Sequence, residues 1–215
     1  MEQCRNIKLK KLALEFPTYA KCYDIVHKGT YFNFKRCNTT KREKHSKMKF
    51  GKRFRIKISI IMPQWERECM SYKDLKKILK LMDPESRDEG FKQLLKNELV
   101  KMNEFFSKKE EEYNNRFEEL KREVADLECD EDETQVIDDL LQFHNKLVLL
   151  LRYHELNFDG FLKIIKKHRK KTGELFSLSF MQGDNKKLVF IANSLDKLLA
   201  EFLETLRMLV QIQPK

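Results

Sequence analysis

From residue 48 onward, apolar residues recur at intervals of three and four, the spacing that gathers them on one face of an α-helix. Phe50, Phe54, Ile58 and Ile61 form a first stripe, Pro63 interrupts it, and Leu75, Ile78, Leu79 and Met82 form a second. This predicts a helical hairpin broken at the proline. Phe91, Leu95, Leu99, Met102 and Phe106, then Tyr113, Phe117, Leu120, Val124 and Leu127, predict one long helix with a polar break near Lys109. The acidic run at 129–134 reads as a turn, and Thr134 as the start of a helix with Ile137, Leu140, Leu141, His144, Leu147, Val148 and Leu151 inward. Residues 176–190 read as an irregular connector, and a last helix is expected from Asn193, carrying Leu195, Leu198, Leu199, Phe202, Leu203, Leu206 and Leu209. An exposed leucine stripe of that length would aggregate, so this helix is expected to cap the bundle.

The stretch NFDGFLKIIKKHRKKTG, Asn157 to Gly173, has two unlike faces. As a helix it places Lys163, Lys166, Lys167 and Lys170 together, with Phe161, Ile164, Ile165 and His168 nearly opposite. Asn157 fits an N-cap, and Gly173 stands where a left-handed residue would end the helix. Lysines so spaced are most often the solvated side of an amphipathic helix, so a second element has to share the work of binding an anion. Tyr72 and Lys76, four residues apart on the second hairpin helix, supply that element; they are expected beside the apolar stripe, at the rim of a site. His144 stands alone in an apolar stripe and reads as a packed histidine, not as a ligand or a base.

Composition sharpens this picture. The 215 residues are 41% apolar and 36% charged, with only 6 Gly and 4 Pro, a balance that predicts an all-α protein with polar outer faces. The net charge of +10 is uneven: residues 1–47 hold 12 Lys/Arg against 4 Asp/Glu, leaving 32 against 30 for the remainder. The first 47 residues therefore read as a flexible basic arm, and the nearly neutral body points to a local patch for a compact polyanion more than to a track for nucleic acid. Five cysteines at 4, 22, 37, 69 and 129 form no CxxC pair and read as reduced intracellular thiols, without a zinc-ligand spacing. The apolar run Leu147 to Leu151 is far too short to span a bilayer, and no nucleophile or carboxylate pair is arranged for catalysis. No cofactor, membrane or enzymatic activity is expected.

MKFGK at 48–52, Pro63 with Trp65, YKDLKKILK at 72–80 and LNFDGFLKIIKKHRKKTG at 156–173 resemble the signatures of the SPX domain, in that family's order. The resemblance covers about residues 48–180 and is closest to the stand-alone plant proteins. It implies a hairpin packed on two long helices with short C-terminal helices, the domain running from 48 to 212. It also implies that Tyr72, Lys76 and Lys166 form a phosphate-binding cluster, flanked by Lys163, Lys167, Lys170 and Lys49, for inositol polyphosphates or pyrophosphates. Such proteins sense phosphate status in nucleus and cytoplasm and, with ligand bound, capture MYB-type phosphate-starvation transcription factors. Cys69 stands where many members have an aromatic residue, Gln64 where the pattern is acidic, and residues 1–47 precede the methionine at which stand-alone members begin, as a true extension or an upstream start. Two other readings are a regulatory fragment of a larger transporter, ubiquitin ligase or polyphosphate polymerase, and a nucleic-acid binder using the basic arm.

The residue chemistry agrees with the resemblance. A lysine is a flexible point charge suited to phosphates at varied angles, and a tyrosine hydroxyl fixes orientation by donating to one phosphate oxygen. An exposed ion pair contributes only about 0–1 kcal/mol, so useful affinity needs several lysines on one dense polyanion.

Overall fold

The computed structural model describes residues 48–83, 88–127, 130–174 and 186–211. The basic arm at 1–47 and most of the expected connector after Gly173 lie outside them. The described residues form α-helices α1 (Phe50–Ile61), α2 (Tyr72–Leu81), α3 (Glu89–Ala125), α4 (Asp130–Thr172) and α5 (Lys186–Gln211), with a 3-10 turn at Pro63–Trp65 and no strand among them. The fold is all-α, as expected. None of these helices is long and apolar enough to cross a membrane.

The described residues divide into two compact units, one drawn from 48–113 and 146–195, the other from 114–145 and 196–211. In the first unit, α1 ends because Pro63 cannot donate a backbone hydrogen bond and turns Met62 out of the helical conformation, with φ −143° and ψ 54°. Trp65 then drops between the long helices, edge-on to Phe105 of α3 at 5.2 Å and to Tyr153 of α4 at 5.9 Å. The α3 and α4 segments run antiparallel, with Phe91 against His168, Phe105 against Tyr153, and Phe106 against His154. At Gly160 the α1 side chain Phe54 lies close against α4: a Cβ there would stand 3.1 Å from the Phe54 ring and 3.3 Å from Met70 Sδ. A larger residue would force the hairpin away.

Two sequence expectations change here. The chain between Leu151 and Asn157 contains no Gly or Pro, so nothing stops the helix, and α4 runs unbroken for 43 residues. Asn157 is therefore no N-cap of its own helix. It is a buried mid-helix residue whose Oδ1 accepts the N–H of Met70 at 2.7 Å and whose Nδ2 donates to the Tyr153 carbonyl at 2.8 Å. Gly173 does end α4, at φ 75°, its N–H bonded to the Arg169 carbonyl. On α2 the buried stripe is Tyr72, Leu75 and Leu79, while Ile78 is 38% exposed. The stripe has turned to bring the larger tyrosine inward, because its ring completes a cluster with Phe50 and Phe54.

In the second unit, Phe117 of α3 stacks on Phe143 of α4 at 5.6 Å, and Phe202 of α5 packs against both. His144 lies flat on Phe202 at 6.0 Å, so it is a packed histidine, as expected. The leucine stripe of α5 is covered: Leu198, Leu199, Leu206 and Leu209 are buried. That helix starts at Lys186, ahead of the expected Asn193, and α4 starts at Asp130 inside the supposed acidic turn.

Candidate anion-binding site

The seven residues proposed for the anion site fall within the first unit, at the start of α1 and on α2 and α4. Lys49 caps α1 with extended backbone, its carbonyl accepting the N–H groups of Lys52 and Arg53 at 3.0 and 3.2 Å. The free amides of that first turn favour an anion. Phe50 follows, and two site residues meet on its ring: Tyr72 lies edge-on at 4.9 Å, and Lys163 Nζ stands 5.8 Å from the ring centre.

The direction of α2 brings in the rest. Asn157 meets Met70 just ahead of α2, and Lys171 reaches Leu79 and Lys80 at its end, so α2 runs alongside α4 in the same sense. Lys76, about 6 Å beyond Tyr72 along the axis, is thereby carried to the level of the α4 turn that bears Lys163, Lys166 and Lys167. Lys166, Lys167 and Lys170 are exposed, as are Lys49, Lys76 and Lys163, and Phe161, Ile164 and His168 on the other face are buried. None of these exposed lysines pairs with a carboxylate among the described residues; the only acid on α2, Asp74, is taken by Lys77 at 3.3 Å.

Tyr72 departs from expectation. It is not on a rim but 2% exposed, and its hydroxyl is buried without a hydrogen-bond partner among the described residues. Burial pushes the phenol above its ordinary value, so it stays a neutral donor. Gly51 leaves room for the ring; a Cβ there would lie 3.1 Å from it. An unsatisfied buried hydroxyl costs about 1–3 kcal/mol. Replacing Tyr72 with Phe is therefore expected to raise the stability of the ligand-free chain by about 1 kcal/mol in chemical denaturation while weakening anion binding. A variant that loses stability would mean the hydroxyl is already satisfied.

Chemically this is a docking surface of cations and one recessed donor. No protein-family model matches the chain. Over 174 residues it is 35% identical to SPX domain-containing protein 1 of Arabidopsis thaliana, a match covering 72% of this chain and 68% of that protein. The chain belongs to the SPX domain-containing proteins. It is also 37% identical over 162 residues to SPX domain-containing protein 2 of Arabidopsis thaliana, 63% of this chain, and there it spans only 56% of the relative's length. With SPX domain-containing protein 2 of Oryza sativa subsp. indica the identity is 34% over 197 residues, covering 78% of this chain and 69% of that one.

Several residues that shape this candidate site of the SPX protein give no motif signal. Glu98 of α3 accepts the N–H of Ser71 at 2.8 Å, beside the bond from Met70 to Asn157, so the two amides ahead of Tyr72 are both held. Lys101 ties Glu98 to the Cys69 carbonyl, at 2.8 and 3.0 Å. The Cys69 thiol itself is buried and pushed up to about 11 by that burial. Beneath the lysines, His168 is fully buried, stacked on Phe91 and bonded through Nε2 to Asp88. Burial pushes the Asp88 carboxyl up, but hydrogen bonds from Lys92 and His168 outweigh it and hold the group below the ordinary carboxylate value. Only the location of His168 in the packed face was readable from the sequence, because its partner is 80 residues away.

Proposed function

We propose that this SPX protein binds an inositol polyphosphate or pyrophosphate through Tyr72, Lys76 and Lys166, with Lys163, Lys167, Lys170 and Lys49 enlarging the surface. It acts as a regulator of phosphate status, working in nucleus and cytoplasm by binding and inhibiting a MYB-type phosphate-starvation transcription factor when the ligand is present. One observation carries the reading: Lys163 shares the Phe50 ring with a tyrosine whose buried hydroxyl has no partner among the described residues, and the exposed lysines around it on α2 and α4 pair with no carboxylate among those residues. A dense polyanion neutralises those charges together, which a single inorganic phosphate cannot do. Ligand then completes an interface that the free protein presents with uncompensated charge.

Calorimetric titration of the full chain with an inositol pyrophosphate at physiological salt tests the ligand. Saturable binding far tighter than that of inorganic phosphate is expected. Equal affinities for the two anions would end the polyphosphate reading. For the partner, ligand is expected to increase capture of the transcription factor by the chain, and capture indifferent to ligand would reject the sensor role.

A further inference from the structure

The run from Lys163 to Lys171 contains one lysine whose geometry sets it apart. Lys171 is half-buried, and its Nζ donates to the carbonyl oxygens of Leu79 and of Lys80, each at 2.8 Å. Those carbonyls belong to the last turn of α2. The Met82 N–H takes the Ile78 carbonyl at 3.0 Å and the helix stops at Leu81, so the carbonyls of Leu79 and Lys80 have no helical amide left to accept from. An ammonium at that point also offsets the negative end of the helix dipole.

At its other end, α2 is preceded by the Met70 and Ser71 amides held by Asn157 and Glu98. The helix is thus pinned at both ends, and Tyr72 and Lys76 lie between the pins. We infer that Lys171 is a positioning residue for the anion site, acting through α2, while its neighbours Lys163, Lys166, Lys167 and Lys170 face the ligand directly. The inference rests on the anion-binding reading given above. To reach a phosphate itself, Lys171 would have to abandon two carbonyls and leave that helix end bare. Held where it is, it keeps Lys76 level with Lys166.

Two readouts on the full chain separate this role from a plain contribution of charge. The first is backbone hydrogen exchange without ligand. Lys171→Met is expected to speed exchange across α2, while Lys170→Met, which removes a free ammonium one residue away, leaves α2 unchanged. The second is titration with inositol hexakisphosphate. Lys171→Met is expected to weaken binding about tenfold, Lys171→Arg to restore most of it, and Lys171→Met in a Lys76→Ala background to cost less than about twofold more, because its effect passes through Lys76. Unchanged exchange in α2, or a full additive loss in the double variant, would overturn the inference. Wild-type binding with undiminished affinity in Lys171→Met defeats the inference alone; absence of binding by the wild-type chain defeats the ligand reading and the inference with it.

Discussion

Truncating Phe202 to alanine lowers the unfolding free energy of this protein by about 3–5 kcal/mol, the usual range for a fully enclosed phenylalanine. The ring is 0% exposed and sits against three others, with centroids 6.0 Å from Phe117, 5.5 Å from Phe143 and 6.0 Å from His144. Removing it forfeits both the transfer of the ring from water and the contacts of its neighbours, which are held on long helices and cannot close the gap. Urea denaturation measures the loss. Arg116→Ala is the contrasting variant: its guanidinium bonds Glu119, Glu123 and Asp139 at 3.1, 2.8 and 2.9 Å. These partners are partly solvated, and the expected cost is about 1 kcal/mol. A Phe202→Ala loss no larger than the Arg116→Ala loss would mean that α5 is not part of the core.

The second large effect concerns the ligand. Changing Lys76 and Lys166 together to alanine is expected to lower affinity for an inositol pyrophosphate on the order of 30-fold, since two exposed ion pairs at up to about 1 kcal/mol each sum to about 2 kcal/mol. Both side chains are exposed and unpaired among the described residues, so helical content and denaturation midpoint should stay at wild-type values. Added salt should weaken the wild type more than the double variant, because the variant has fewer charges left to screen. Wild-type affinity in the double variant would remove both lysines from the site and send the search to another face.

What the sequence reveals about this protein follows from the range of each interaction. The division of the lysine helix into a charged and a packed side is a local matter of period, and Lys163, Lys166, Lys167 and Lys170 fall where the period puts them. Gly173 likewise announces its own left-handed turn. Asn157 misleads for the same local reason: asparagine before an amphipathic run looks like a cap, and only the partner amide at Met70, 87 positions earlier, reveals what it binds. Tyr72 and Ile78 exchange burial because the packing of Phe50 and Phe54 decides which side of α2 turns inward, and that lies outside the helix's own pattern. Lys171 is indistinguishable from Lys170 by spelling, and the carbonyls of Leu79 and Lys80 alone tell them apart.

The packing face and the charged face of α4 have no residue in common. Phe161, Ile164 and His168, with Gly160 pressed against Phe54, fix where the helix lies, and Lys166, Lys167 and Lys170 are exposed on its other side. Substitution at Lys166, Lys167 or Lys170 therefore alters what the surface attracts without disturbing how the chain folds, whereas substitution at Gly160, or at Lys171 with its hold on α2, does the reverse. Descendants of this sequence can be retuned toward more or fewer phosphates in small, reversible steps, each neutral for folding, and their diversity should accumulate on one side of the helix only.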